Sequence, residues 1–424
     1  MFRAIVIAGA GAWLGAACAD SAPPMYAAPA PSVAAGSGNA GSGNSTAEEP
    51  SKPKPGSAPM TTAPSVASAA NPPKSPASAA VQAQPARSGD VDADDAGTTL
   101  DAAVPVPEHD AGAAAPIAPC TPNAYVSNSF DDSVSVIDTN THKVVATIPT
   151  GTAPVNPVFT PDRRKVYVSN SQADTLTVID VETNQGMSMP AGGSHPSGLA
   201  FSPDGRTLYV SLIADFVSPG AVLSIDLSTG KASPQIPMGA DPERIALTPD
   251  GKRLYVNNLV DGTMAVVDTQ SQKVITTLKM GDLPFNPLLS PDGSVVYVGV
   301  MSANHIAVVD TQTNEIVRTI PADSPNGMTY SKDFESLFVS NALSGTVQQV
   351  SLTTNMVLKT AQVGGVPGNM AVLPDGKHAY MVRPDGSTVE ILDTSTLEIV
   401  DTIDVGMGPS VVTVCRPPAA AQVQ

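Results

Sequence analysis

One unit of sequence recurs seven times between Ala124 and Val414, and this recurrence constrains the fold more than any other feature. Each unit opens with an aliphatic-Tyr-Val-Ser/Asn segment. A variable polar loop, a Val-x-Val-Ile-Asp-Thr segment and a Lys-Val-Val-x-Thr-Ile segment follow. A Gly-x-x-Pro loop and an apolar segment ending in Ser-Pro-Asp-Gly complete it. The anchor aromatic stands at Tyr125, Tyr167, Tyr209, Tyr255, Tyr297, Phe338 and Tyr380, in steps of 42, 42, 46, 42, 41 and 42 residues. A fixed period near 40 with about four short strands per unit is the pattern of propeller blades. The expected fold is therefore all-β: a seven-bladed β-propeller of four-stranded antiparallel blades. Pairing of the N- and C-terminal strands closes the ring.

Within a unit the strands run from inner to outer, represented by Leu199–Ser202, Leu208–Ser211, Val222–Asp226 and, in a later unit, Val274–Leu278. They are β-branched and nearly continuously apolar, as expected where both faces of a sheet pack against neighbours. Asp-Gly between two such runs demands a tight hairpin. Asp138, Asp180, Asp226, Asp268, Asp310 and Asp393 end third strands, with Ser351 in the sixth unit. Each carboxylate sits on its own unit and suits a turn better than a shared metal. Strand alternation sorts the loops. The Pro-Asp-Gly and Asp-Thr turns share one face, short and uniform. The Gly-x-x-Pro loops and the variable loops after the second strand share the other, where recognition usually resides on a repeat scaffold.

The repeat resembles the YVTN-repeat β-propeller family of seven-bladed bacterial propellers. The residues carrying the resemblance are Tyr125-Val126-Ser127-Asn128, Tyr167-Val168-Ser169-Asn170, Tyr209-Val210-Ser211 and Tyr255-Val256-Asn257-Asn258. The turns at Ser202–Gly205, Thr248–Gly251 and Ser290–Gly293 complete it. It covers roughly residues 120–416 and implies fold far more than function, since surface, periplasmic, scaffold and enzyme relatives all share it. The WD-type propeller does not fit, because the single tryptophan, Trp13, lies outside the repeats.

Residues 1–18 read as an export signal: Arg3, an apolar run from Ala4 to Leu14 too short to span a bilayer comfortably, then small residues. Gly15-Ala16-Ala17-Cys18 resembles a lipoprotein cleavage box, with Cys18 as the acylated residue, although Leu14 stands one place early. Ordinary cleavage near Ala17-Cys18-Ala19 is the alternative. Residues 19–118 are rich in Ala, Pro, Ser and Gly and poor in large apolar residues. They are expected to form a disordered tether, and 417–424 a disordered tail. The propeller is expected over 119–416. Net charge is −17, with 29 acidic against 17 basic residues from position 120 onward, so the electrostatic footprint of a nucleic-acid binder is missing.

Cys120 and Cys415 flank the repeats. Both map, through the repeat alignment, onto the hairpin that the ring-closing blade must lack. A disulfide there would clasp the seam, as an oxidising compartment permits.

The second residue after each loop proline should face the mouth of the central channel: Asn156, Gly198, Arg244, Asn286, Gly327, Asn369 and Val411. Asn156, Arg244, Asn286 and Asn369, with His195 beside them, form a candidate site for a carboxylate, a peptide end or a sugar hydroxyl. Asp241 and Glu243 are adjacent. The alternative, favoured because such loops need polar partners, is that these amides satisfy loop carbonyls at the channel rim. Phe130, Phe216 and His305 are candidate partner-contacting residues on the variable face. No metal spacing, haem motif, phosphate loop or catalytic set is recognisable, so no cofactor, metal or catalytic residue is assigned. The first reading is an exported, membrane-anchored lipoprotein of the cell envelope, a monomer facing the periplasm or the cell surface, that binds a protein, peptide or glycan. A lactonase- or isomerase-like enzyme and a passive envelope component are the alternatives.

Overall fold

A computed structural model describes residues 117–215 and 217–416. The expected export signal, Cys18, the tether up to residue 116, Phe216 and the tail after residue 416 lie outside these residues.

Seven antiparallel sheets follow one another around a central axis. Their inner strands start at Pro409, Pro154, Pro196, Pro242, Pro284, Pro325 and Met370, in blades numbered 1 to 7. Blade 1 combines Pro409–Val414 from the end of the chain with Asn123–Asn128, Ser133–Asp138 and Lys143–Pro149 from its start. Tyr125 stands between Val136 and Thr413 in that sheet, so the two ends of the chain share one ladder. Each inner strand packs against those of its neighbours, blade 7 against blade 1 included. Cys120 and Cys415 form a disulfide with Cα atoms 5.3 Å apart. It lies where the closing blade lacks a covalent turn.

The apolar runs are explained by what the sheets touch. Tyr125, Val134 and Val136 of blade 1 pack on Val166, Val168 and Ile179 of blade 2. At the seam Tyr380, Val389 and Ile391 of blade 7 pack on Ala124, Val126 and Val412 of blade 1. The core is thus a ring of inter-blade layers, with anchor tyrosines among its largest fully buried side chains.

Side-chain staples link the layers. The Ser169 hydroxyl of blade 2 donates to the Ser197 carbonyl of blade 3. Ser211 reaches the Glu243 carbonyl at 3.2 Å, and Ser340 the Gly368 carbonyl at 2.6 Å. On the turn face Asp138 accepts hydrogen bonds from the amides of Asn140 and Thr141 at 2.9 and 2.8 Å. Those bonds hold its carboxyl below the usual range. Ser351 makes the weaker equivalent with the Thr354 amide at 3.2 Å.

The outer strand of blade 3 departs from the four-strand pattern. It is divided into Lys231–Ala232 and Ile236–Ala240, both paired with Pro219–Asp226. Between them Pro234 has no N–H for the ladder. The Ser233 hydroxyl instead accepts the Ser224 amide at 3.0 Å.

Candidate functional site

The Gly-x-x-Pro loops deliver seven inner strands to one end of the axis. In blades 2 and 5 the residues after the proline bulge: Asn156 and Asn286 take φ of 55° and 47°, each followed by proline. Asparagine tolerates this left-handed geometry better than most residues. Pairing to the second strand shifts at both positions. Blade 4 differs, presenting Glu243 and Arg244.

Arg244 extends past blade 3 to blade 2, where its guanidinium donates to Asn156 Oδ1 at 2.8 Å. Glycine at 198 in the intervening blade keeps the strands close, since an added Cβ would lie 2.7 Å from the Glu243 carbonyl. The guanidinium carbon stands 5.6 Å from the Phe285 ring centroid, within cation–π range. Phe285 itself packs with Leu259, Met301 and Ala342. The cation therefore lies on an apolar bed and is tied to an amide two blades away.

Asp241, Glu243 and Arg244 are only 6, 5 and 7% exposed. Glu243 Oε1 is 3.8 Å from Arg244 Nε, too far for a hydrogen bond. Asp241 Oδ1, Glu243 Oε2, Arg244 Nε and both amide atoms of Asn257 are buried with no partner among the described residues. Asn257 stands opposite Arg244 in the ladder, so these atoms belong to one blade and one end of the ring. More than nine in ten buried polar groups are normally satisfied, and each orphan costs about 1–3 kcal/mol.

Burial raises the Glu243 carboxyl well above its usual range; Arg244 opposes this and Asp241 adds to it. Burial also raises Asp241. The Arg244 guanidinium is lowered by burial, with Glu243 pulling the other way. At both carboxyls desolvation works against ionisation, and at Glu243 it outweighs the pull of Arg244. Carboxyls biased toward the protonated form beside a guanidinium leave hydrogen-bond donors in excess. Such a site suits an acceptor-rich group, a carboxylate or a carbonyl.

The residues picked from sequence fall into three groups. Asn156 and Arg244 are in direct contact, and Asn286 follows the phenyl ring beneath the guanidinium. Asn369 serves ring closure instead: its Oδ1 accepts the Val412 amide at 3.2 Å, stapling blade 7 to blade 1. His195 is tied to the variable loop of blade 2, its amide donating to Asp174 Oδ1 at 2.8 Å, while its Nδ1 is buried without a partner among the described residues. On the variable face Phe130 is 52% and Met407 53% exposed, beside Gly408. His305 begins the third strand of blade 5, its Nδ1 3.2 Å from the Ala303 carbonyl. Asn257 was not among the sequence candidates. Its signal is an interruption of the Tyr-Val-Ser pattern, in the blade that also carries Glu243 and Arg244.

A closed seven-bladed β-propeller with a buried polar cluster at one end of its axis is the class of protein defined here. The chain belongs to the YNCE-like beta-propeller family, whose model matches residues 96–419. Among solved structures it is similar to Kuenenia stuttgartiensis hydrazine synthase at 20% identity, covering 65% of this chain and 93% of that chain, with TM-score 0.58. A functionally unknown protein from Desulfotomaculum acetoxidans DSM 771 matches at 17% identity over 70% of this chain and 100% of that one, with TM-score 0.60. Dihydro-heme d1 dehydrogenase NirN in complex with DHE matches at 17% identity over 74% and 80%, with TM-score 0.52. At such identities the likeness is one of fold. No curated protein matches the sequence.

Proposed function

We propose that this chain is an exported, lipid-anchored binding propeller of the cell envelope. It captures a protein, peptide or glycan through an acceptor-rich end group seated at the mouth around Arg244, Asn156 and Asn286. The observation that carries this reading is the concentration of unpartnered buried polar atoms on Asp241, Glu243, Arg244 and Asn257. A ligand oxygen would satisfy several of them together. The Arg3 start, the apolar run and Cys18 supply the export and anchoring half of the reading. An anchored tether would then raise the local concentration of the propeller near envelope ligands.

Fluorescence anisotropy with labelled peptides ending in a free carboxylate or an amide tests the recognition half. The free-acid peptides are expected to bind more tightly, and Arg244→Met to weaken them by about tenfold or more, as loss of a charged hydrogen bond does. Equal binding of acid and amide, unchanged by Arg244→Met, would contradict it.

A further inference from the structure

Ring closure also builds a second polar site, on the turn face of the seam between blades 7 and 1. A cleft of about 590 Å³ lies there, lined by His142, His378, Asp375 and Asn140 beside Cys120 of the disulfide. His142 occupies the left-handed position of the turn between the third and outer strands of blade 1, with φ 55°. In blades 2 and 5 that position holds Asn184 and Asn314. Their side-chain oxygens accept the hydroxyls of the preceding blade's anchor tyrosines, Tyr125 at 3.3 Å and Tyr255 at 2.9 Å. His142 takes the same place toward Tyr380, its Nδ1 2.8 Å from the phenolic oxygen. An asparagine would serve that packing role equally well. The imidazole adds a second nitrogen that the fold does not need.

His378 opens the second strand of blade 7, and its Nδ1 lies 2.7 Å from Asp375 Oδ2. The two imidazole centroids are 5.7 Å apart with ring planes inclined at 74°. Each Nδ1 is thus engaged by an oxygen, while neither Nε2 has a hydrogen-bond partner among the described residues. An imidazole oriented through one nitrogen and free at the other is the arrangement found in metal-ligating histidines. With metal–nitrogen bonds of about 2.0–2.1 Å, two imidazoles on one ion place their ring centres roughly 5–6 Å apart.

We propose that His142 and His378 bind one divalent late transition-metal ion through their Nε2 atoms. Asp375 acts as the residue that positions His378. Imidazole pairs suit copper, nickel and zinc, and copper should bind most tightly. The neighbouring Asp375 and the net charge of −17 favour a cation over an anion. No set of three or more His, Cys, Asp or Glu side chains among the described residues could hold an ion. The protein would therefore supply two ligands, leaving the other positions to water or to a donor from a bound molecule.

The test uses tag-free full-length protein titrated with Cu²⁺, followed by calorimetry and by electron paramagnetic resonance. One ion per chain is expected at this site, with hyperfine coupling to two imidazole nitrogens. His142→Asn should melt within about 2 °C of the parent without metal, because it keeps an acceptor for Tyr380. It should bind Cu²⁺ at least about tenfold more weakly and lose one nitrogen coupling, and Asp375→Asn should weaken binding by about 10–100-fold. The proposal is overturned if His142→Asn retains the parent affinity and the two-nitrogen spectrum. It is equally overturned if the parent binds no better than a His142→Asn/His378→Gln double variant.

Discussion

Asn257 illustrates how a break in a repeat marks a candidate residue. Ser127, Ser169, Ser211 and Ser340 hold this place in blades 1, 2, 3 and 6, Gly299 and Val382 in blades 5 and 7, and three of the hydroxyls bridge to the next blade's inner strand. Asn257 makes no such bridge, and it pairs with Arg244 in a blade that buries Asp241, Glu243 and Arg244 at the start of its inner strand. The equivalent places of Arg244 and Asn156 after their loop prolines were legible from spacing, and the two side chains meet. The meaning of Asn257 was not, because the bridging role of serine appears only when neighbouring blades are seen together. Glu243 carries a pH prediction. The unfolded chain ionises this carboxyl in the ordinary range, while burial raises it well above that range in the folded state. The folded protein therefore holds more protons in that interval, and stability falls as pH rises through it. Urea melts should show that decline, and Glu243→Gln should remove a sizeable part of it. A parallel pH slope in the variant would show that the glutamate is not the cause. Ser169→Ala should cost about 1 kcal/mol by leaving the Ser197 carbonyl only the longer bond from Asn156 Nδ2 at 3.4 Å, with chemical denaturation as the readout.

At the level of strands and blades, the seam and the sheet edges set stability. Outer strands expose apolar residues such as Val145, Ile275, Val317 and Val400, at 55, 47, 51 and 55%. In blades 1, 4, 5, 6 and 7 the pairing of the outer strand shifts register once, a bulge that twists an exposed edge away from other chains. The Cys120–Cys415 bond closes a span of 295 residues. Replacing both cysteines by serine should lower stability on the order of 4–5 kcal/mol in denaturant melts; a loss below about 1 kcal/mol would mean that the strand pairing alone secures the ring. This bond was readable in advance because both cysteines align on one missing hairpin. The divided outer strand of blade 3 was not. Its Ser233-Pro234 break lies in the longest repeat, where the period locates the blade but not the interruption within a strand.

For the molecule as a whole, the repeat specified blade number, strand order and the two faces, because each unit can bury its apolar surface only against copies of itself. The candidate sites were less legible, because they lie where single blades break the pattern. Blade 4 does so at the channel mouth, and blades 7 and 1 do so across the seam. The first set of departures supports capture of an envelope ligand. Site-specific photocrosslinking in intact cells, from a reactive residue at position 286, bears on that claim most directly. Adducts to one envelope component are expected, absent from a control at Lys332 on the turn face and strongly reduced by Arg244→Met. Adducts of equal yield from both faces, or a yield at position 286 untouched by Arg244→Met, would contradict the account.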